Sequence, residues 1–435
     1  MADRPNRVVI VGAGFGGLEA TLRLERHFRG SERAEITLVN DQNFFLFTPL
    51  LQEVVSSYIE PRHIVQTIRD IRRDRGFIFR RDRVVGFDLE RRIVQLVEAT
   101  LPYDYLVLAL GSTANFFGVP GPEHCFTLKS LADAVELREH IIDAFEHADH
   151  ESDIARRRER LTFVVIGGGY TGVELVAEIH DFIKRYLLRR YTGVTPSDAK
   201  LVLLEAAPNI LLGVHPTLAR HARRKLRREG IEVRTEANVT RCFADGVEVN
   251  GRERIPSRTI IWTAGVKANP LVLALPAERD RFDRLVVNEF LQLPNHPEVF
   301  TVGDCGVVGG APPESSPRTA PLAIAQGRLA AENIIARIEQ RPLRSFHFAP
   351  QGYLVSLGMN EAVVDLMGIR FSGFLAWLLW NSIHLLRLVG LKKQLQVALD
   401  WSLATIFPRD AAIVRTPRRC PVCGGGSAGS SPSEN

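Results

Sequence analysis

Two short glycine clusters carry the first chemical signal. Gly12-Ala-Gly14-Phe-Gly-Gly17 and Gly167-Gly-Gly169-Tyr-Thr-Gly172 both fit the spacing G-x-G-x-x-G. In such a turn the first glycine makes the tight bend, the second lets a pyrophosphate approach the backbone, and the third lets helix and strand pack closely. The helix that follows aims its free N-terminal N–H groups at the phosphate charge. A single match is weak, because glycine turns are common. Two matches, each after a strand-like run and before a helical one, predict two dinucleotide sites.

A dinucleotide also needs a partner for its ribose hydroxyls at the end of the second strand. After the second turn this position holds Glu205, following Lys200–Leu204. No arginine follows immediately to hold a 2′-phosphate, which favours NADH over NADPH. After the first turn the position holds Asn40, with Asp41 next. Asn40 can hydrogen-bond a ribose more weakly than a carboxylate, and Asp41 can substitute. Two such sites in one chain predict hydride transfer between a nicotinamide and a flavin. Thr301-Val-Gly303-Asp304 adds an apolar strand ending in Gly-Asp, whose carboxylate can accept from a ribityl hydroxyl.

The elements that must position these residues can be read around them. Arg7–Val11 reads as a strand, followed by a helix to about Phe28 and a strand at Ile36–Val39. Thr162–Ile166 starts the same pattern again, with a helix from Gly172 to about Tyr186 and a strand at Leu201–Leu204. The economical interpretation is a repeated nucleotide-binding unit. Between the copies lie a strand-rich piece, Val84–Val97, and a buried strand, Leu106–Leu110, closed by Gly111. Ile260–Gly265 and Val299–Asp304 again read as strands ending in glycine turns. Gln326–Ile338 reads as helix, Phe346–Val364 has strand-like stretches, and Phe371–Phe407 is apolar and helical. Arg415–Asn435 is rich in Pro, Gly and Ser and is expected to be disordered.

Composition narrows the class further. The chain has 435 residues, 45% hydrophobic and 24% charged, which excludes collagen-like, largely disordered and disulfide-scaffold proteins. No apolar run reaches the roughly 20 residues of a spanning helix, which excludes a polytopic membrane protein. Cys125, Cys242, Cys305, Cys420 and Cys423 are odd in number and irregular in spacing, as in a reducing compartment. No secretory signal is expected in Met1–Val11. The net charge is +5, with arginines clumped in Arg69–Arg83, Arg156–Arg160 and Arg223–Arg228. These read as solvated helix faces. An anionic partner, if present, is a phospholipid surface rather than nucleic acid, for which no motif exists here.

The series Gly12–Gly17, Phe47-Thr-Pro-Leu-Leu51, Leu108-Ala-Leu-Gly-Ser112, Val165–Glu174, Trp262-Thr-Ala-Gly-Val-Lys267 and Val302-Gly-Asp304 resembles the type II NADH dehydrogenases. These are single-chain, non-proton-pumping NADH:quinone oxidoreductases. The resemblance runs from about Arg7 to Ile413. It implies the α/β, two-dinucleotide-binding-domain flavoprotein fold, with two Rossmann-like units and a C-terminal amphipathic helical segment that anchors to the membrane. FAD is expected on a discontinuous domain, residues 1–115 and 285–345, and NADH on residues 116–284. Residues 346–413 would carry the membrane-surface helices and 414–435 the tail.

By position, Gly12, Gly14, Gly17, Asn40, Asp41, Val84, Gly111, Gly303, Asp304 and Ala320 would serve FAD. Gly167, Gly169, Gly172, Glu205 and Gly265 would serve NADH. Glu174 is the candidate catalytic residue, lying near the nicotinamide–flavin region in a positional role. Its bland alternative is stabilisation of the helix N-terminus by a carboxylate. Pro49, Leu50, Gln326 and Gln351 are expected on the quinone side. There the sequence departs from the family pattern: Pro321 and Ala325 replace two usual glutamines, and Gln351-Gly352 replaces a Lys-Gly segment.

Absences also discriminate. No cysteine pair follows the first glycine turn, which disfavours a dithiol–disulfide reductase. A sulfide:quinone oxidoreductase would need sulfur-carrying cysteines, for which Cys125 and Cys305 are available. A slow-turnover, NADH-binding redox scaffold is the reading outside enzymology. Cys420-Pro-Val-Cys423 is half a zinc knuckle without a second pair, so no metal is expected. Phe371–Leu386 has no Asp, Glu, Lys or Arg and contains Trp377, Trp380 and His384. Arg387, Lys392 and Lys393 follow. Next come Leu395, Ala398, Leu399, Ser402 and Ile406 near helical spacing, with Trp401 alongside. This suits a helix pair lying on anionic lipid, with quinone drawn from the bilayer. Burial in the core or in a homodimer is the alternative. The expected location is peripheral, on the cytoplasmic face of the inner membrane.

Overall fold

The computed structural model describes residues 4–310, 318–349 and 352–413. The chain opens with β1 (Asn6–Val11), whose run Val8-Val-Ile-Val11 is fully buried. Helix α1 (Phe15–Phe28) follows, then β2 (Ala34–Asn40), the short α2 (Leu51–Val55), β3 (Ile78–Arg81) and β4 (Tyr105–Leu108). After α3 (Leu131–Asp149) the motif repeats as β5 (Thr162–Ile166), α4 (Tyr170–Arg185), β6 (Lys200–Leu204) and β7 (Glu232–Arg234), with β8 at Thr259–Trp262. β9 (Gln292–Leu293), β10 (His296–Thr301) and α5 (Ala320–Ile338) return the chain to the first unit.

Two separate sheets result. The first has strand order β9-β10-β4-β1-β2-β3, parallel except for the β9–β10 edge. The second has order β7-β6-β5-β8, all parallel. Continuous apolar runs such as that of residues 163–166 suit strands covered on both faces. The chain leaves the first sheet after β4 and returns to it at β9. Ser112–Ala114 on the way out pairs antiparallel with Val266–Ala268 on the way back. The nucleotide units are thus one inserted into the other along the sequence.

Helices α1 and α5 cross at glycine. A Cβ on Gly327 would lie 2.1 Å from the Gly16 carbonyl oxygen, so only glycine permits this approach. Helix α5 begins at Ala320, earlier than the expected Gln326, because Pro321 sits in the first turn, where its missing N–H costs nothing. Helix α3 has no counterpart in the sequence reading. Ser130 caps it, accepting from Asp133 N at 3.1 Å, and Leu137, Ile141 and Phe145 bury one face.

The C-terminal region corrects one expectation. Phe371 belongs to a strand, Ile369–Gly373, paired with Ala362–Leu366. Only then come α6 (Phe374–Arg387) and α7 (Leu391–Ile406), separated at Gly390 with φ +91°. Among the described residues no helix is long and apolar enough to cross a membrane. The expected disordered tail, with Cys420 and Cys423, lies outside the described residues.

Candidate active site

Both glycine turns are built alike. Gly12 and Gly167 have φ +104° and +108°, which glycine alone adopts freely. A Cβ on Gly17 would lie 1.9 Å from Gly12 O, and one on Gly172 would lie 1.8 Å from Gly167 O, so the third glycines are the packing positions. A Cβ on Gly14 or Gly169 would meet no protein atom within 4 Å: the middle glycines face the groove. Neither α1 nor α4 has a side-chain cap on its first turn, leaving N–H groups for an anion. The residues therefore fit a pyrophosphate at each turn.

The strand-end residues have an additional role. Asn40 Oδ1 accepts from Ala13 N at 2.9 Å, while its amide donates to Gln42 O at 2.8 Å. Glu205 does the equivalent in the second unit: Oε2 accepts from Gly168 N at 2.6 Å and Oε1 from Ala207 N at 2.7 Å. Each side chain holds the residue between the first two glycines. Asp41 is exposed beside Asn40. Val84 is buried at the start of the strand Val84–Asp88, paired with Leu96.

The Gly-Asp turn meets the first unit. Ser112 Oγ donates to Asp304 Oδ2 at 2.6 Å, and Lys129 Nζ donates to Ser112 Oγ at 3.2 Å. Lys129 escaped the sequence reading; it precedes α3 by two residues, and no local pattern marks it. Gly111 turns with φ +69°, and its carbonyl accepts from Asn269 N. Gly303 has φ +73°. Ala320 opens α5, again without a side-chain cap. On the nucleotide side, Gly265 O accepts from Asn115 N at 3.0 Å, and a Cβ there would strike the Phe117 ring at 2.7 Å.

Two of the residues expected on the quinone side are buried. Gln326 is buried, and its Oε1 accepts from Gly303 N at 2.7 Å; close contact of α5 with α1 turns it inward, where it shapes the Gly-Asp turn. Leu50 is wholly buried in the core, so of that pair only Pro49 keeps exposed surface. Gln351 lies outside the described residues.

Glu174 is not a helix-end carboxylate awaiting a backbone partner. Its Oε1 accepts from Ser356 N at 3.0 Å and from Trp380 Nε1 of α6 at 3.1 Å. Burial pushes its carboxyl up to about 8. One turn on, Glu178 accepts from Ser56 Oγ at 2.8 Å and is pushed up to about 7, chiefly by burial, against the opposing pull of Arg409. Glu53 of α2 is raised well above the carboxylate range by burial and by Glu178, and it accepts from Trp401 Nε1 of α7 at 2.7 Å. Arg409 closes this seam. Its Nη1 donates to Ser56 O at 3.0 Å and lies 3.8 Å from Glu178, and its guanidinium lies 4.3 and 4.7 Å from the Tyr58 and Tyr186 ring centres. Thus the first unit, the second unit and the C-terminal region meet at three buried carboxyls. Sequence reasoning missed Glu53, Glu178 and Arg409, because nothing local links positions so far apart.

The tryptophans are likewise corrected. Trp380 and Trp401 were expected as membrane anchors, yet both aim their indole N–H groups inward at these carboxyls. What faces outward is apolar and mostly aliphatic. Phe374, Leu375, Leu378 and Leu386 of α6, and Leu391, Leu395, Leu399, Leu403 and Ile406 of α7, are exposed. Arg387 and Lys392 stand exposed beside them. His384, stacked near Trp380, is pushed down to about 4 by burial and is neutral at physiological pH.

Cys125 and Cys305 do not come together as sulfur carriers. Cys305 is fully buried under the Gly-Asp turn, with its thiol on Leu108 O and Val302 O. Cys125 packs in the core of the other sheet, beside Cys242.

A family model described as pyridine nucleotide-disulphide oxidoreductase matches residues 6–327, and a second, the NDH2 C-terminal domain, matches 351–410. The chain is similar to two Mycobacterium tuberculosis proteins, the type II NADH:quinone oxidoreductases NdhA and Ndh. Identity to NdhA is 32%, covering 92% of this chain and 87% of the relative. Identity to Ndh is 33%, covering 96% and 91%. Among solved structures, NDH2 from Plasmodium falciparum in complex with NADH superposes with a TM-score of 0.85 at 19% identity, over 94% of this chain and 100% of that one. The sulfide:quinone oxidoreductase from Aquifex aeolicus gives 0.72 at 19% identity, over 98% and 100%.

Proposed function

This chain belongs to the pyridine nucleotide-disulphide oxidoreductase family and carries an NDH2 C-terminal domain, and we propose that it works as a type II NADH:quinone oxidoreductase. It takes a hydride from NADH onto FAD and passes two electrons to a quinone, without pumping protons. The observation that carries this reading is the pair of matched nucleotide cradles in one chain, each with its middle glycine open to a groove and its strand-end side chain bracing the turn.

Bound FAD supplies the hydride acceptor and then the two-electron donor. The chain's share is orientation and exclusion of water. The first turn would hold FAD, with the Ser112–Asp304 pair placed to serve its ribityl hydroxyls and the uncapped start of α5 free to serve the flavin end. The second turn would hold NADH, with Glu205 serving the ribose hydroxyls and Gly265 lying in the loop after β8. The discontinuous layout follows: residues 1–115 and 285–345 for FAD, 116–284 for NADH. Glu174, protonated at neutral pH, presents a neutral carboxyl where the two units meet α6.

The acceptor is a lipid-dissolved quinone, reached from the side of Pro49. The exposed apolar face of α6 and α7, flanked by Arg387 and Lys392, rests on anionic lipid at the cytoplasmic face of the membrane. Anaerobic mixing of purified protein with NADH tests the whole reading: the flavin absorbance bleaches, and added quinone restores it through many turnovers. A protein that is colourless and stays so after incubation with FAD defeats it. So does a single bleach that no quinone reverses.

A further inference from the structure

Beside the helix pair, the first unit exposes Arg62, Arg69, Arg72 and Arg73. The segment of residues 60–66 runs along one flank of α7. Glu60 N donates to Asp400 Oδ2 at 3.2 Å, and His63 Nδ1 lies 2.5 Å from the same oxygen. Two turns back on that flank, Lys393 Nζ donates to Arg62 O at 2.7 Å. The turn between α6 and α7 lies over the same segment: a Cβ on Gly390 would be 3.9 Å from Gln66 Oε1. The chain then enters a short helix, Ile68–Arg72, capped by Thr67, which accepts from Asp70 N at 3.3 Å. Ile68 and Ile71 are buried, while Arg69, Arg72 and Arg73 share an exposed face at i, i+3 and i+4. The Arg69 guanidinium lies 5.5 Å from the centre of the Phe79 ring. Among the described residues no carboxylate forms an ion pair with Arg62, Arg69, Arg72 or Arg73. Residues 60–75 hold five arginines against three acids, and residues 387–393 hold three basic side chains and no acid. This positive edge borders the exposed stripe of Leu391, Leu395 and Leu399.

We propose that Arg62, Arg69, Arg72 and Arg73, with Lys392 and Lys393, form a docking surface for the headgroups of anionic phospholipid, so that the first unit itself contacts the bilayer, an inference that rests on the lipid-facing reading of α6 and α7. The two parts of the contact do different work. The leucine stripe enters lipid whatever the headgroup charge. The basic edge is attracted only where the surface is negative, and only within a Debye length of it. A guanidinium suits a phosphodiester, because it stays charged and presents paired N–H donors to the oxygens. Its apolar stem lets the charge reach headgroup level from the side of a helix that lies on lipid. Arginines in the last turn of a helix also favour its C-terminal dipole, a role that needs no lipid. The phosphates of a nucleic acid carry the same charge, but a polynucleotide would leave the adjoining leucines in water.

The basic edge is built onto the acceptor side. Phe47 N donates to Ile64 O at 2.9 Å, and the strand Phe44–Leu46 pairs antiparallel with Val65–Thr67. The loop carrying Pro49 is therefore bonded to the same segment that carries Arg62. Contact through the helix pair alone leaves the molecule free to rock about the helix axes. A second contact through the arginines fixes that tilt and sets the loop of Pro49 toward lipid.

The test uses full-length, FAD-loaded protein, sedimented with neutral phosphatidylcholine vesicles and with vesicles enriched in phosphatidylglycerol, at low and at high salt. Each basic side chain near an anionic surface strengthens binding by about fivefold. Wild type is expected to bind the anionic vesicles at least about thirtyfold more tightly than the neutral ones at low salt, and to lose most of that preference at high salt. Arg69→Gln with Arg72→Gln and Arg73→Gln should weaken anionic binding by at least about tenfold. Binding to neutral vesicles, the flavin-to-protein ratio and turnover with a water-soluble quinone should stay at wild-type values. Arg220→Gln with Arg224→Gln and Arg228→Gln, at exposed positions of the helix Pro216–Arg228, removes the same charge from the second unit and should leave the anionic preference intact. Equal binding of wild type to the two vesicles, or equal losses in the two triple variants, would overturn the proposal and leave α6 and α7 on lipid. Binding to neither vesicle would remove the lipid-facing reading beneath it. A short DNA duplex bound as tightly as anionic vesicles, and released by the Arg69, Arg72 and Arg73 changes, would reassign the surface to nucleic acid.

Discussion

At the residue scale, Glu205 and Asn40 act on the turn as well as on any ligand. Glu205 fixes Gly168 and Ala207 through backbone N–H groups, so its carboxylate is pre-oriented before a ribose arrives. Charge-assisted bonds of this kind are worth about 1.5–3 kcal/mol. Glu205→Ala is expected to raise the KM for NADH by about tenfold or more, with FAD still bound. Steady-state kinetics and the flavin-to-protein ratio check this; an unchanged KM would remove Glu205 from the nucleotide site. The glycines were readable because each role is stereochemical and local. The burial of Gln326 was not legible locally, because its inward orientation depends on a helix contact at Gly16 and Gly327, some three hundred positions apart in the chain.

At the scale of elements, α6 and α7 each have two jobs. Their inner faces hold Trp380 and Trp401 against buried carboxyls, and their outer faces are apolar. Truncation would confound the two, so the outer face is best probed alone. Leu395→Glu with Leu399→Glu replaces side chains 62% and 57% exposed. Lost lipid contact of about 1.5–3 kcal/mol for each leucine should weaken vesicle binding in co-sedimentation by at least about tenfold, while turnover with a water-soluble short-chain quinone stays near wild type. Arg409→Met tests the seam. Removing one partner of a buried pair costs about 3–5 kcal/mol where the other stays charged. Because Glu178 is held near 7, that cost should be larger at pH 8 than at pH 6, read from denaturant midpoints. The amphipathic character of these helices was legible in the sequence. The direction of their tryptophans was not, because periodicity does not reveal a buried carboxyl from another domain.

At the scale of the whole molecule, the carboxyl seam makes folding pH-dependent in an unusual direction. An unfolded glutamate releases its proton near 4.5, whereas in the fold Glu174 keeps its proton to about 8 and Glu178 to about 7. Between these values the folded chain binds more protons than the unfolded one, so stability falls as pH rises, by up to about 1.4 kcal/mol per pH unit for each such group. Thermal midpoints should decline from pH 5 to pH 8, and Glu178→Gln should flatten that slope. A flat profile in the wild type would contradict the burial described here. The alternation of strands, glycine turns and helices made the two units readable. The seam joining them was not, since it depends on residues 53, 178 and 409 meeting only after both sheets have formed.

The placement of the indoles has an optical consequence. The chain has four tryptophans, Trp262, Trp377, Trp380 and Trp401, and none lies in the first sheet or on α1 and α5. Ultraviolet emission therefore reports chiefly on the second sheet and the terminal helix pair, and on the amino-terminal unit only through the bonds of Trp401 to Glu53 and of Trp262 to Asn115. A fluorescence transition that precedes loss of the yellow colour would mark the two halves as separable in unfolding.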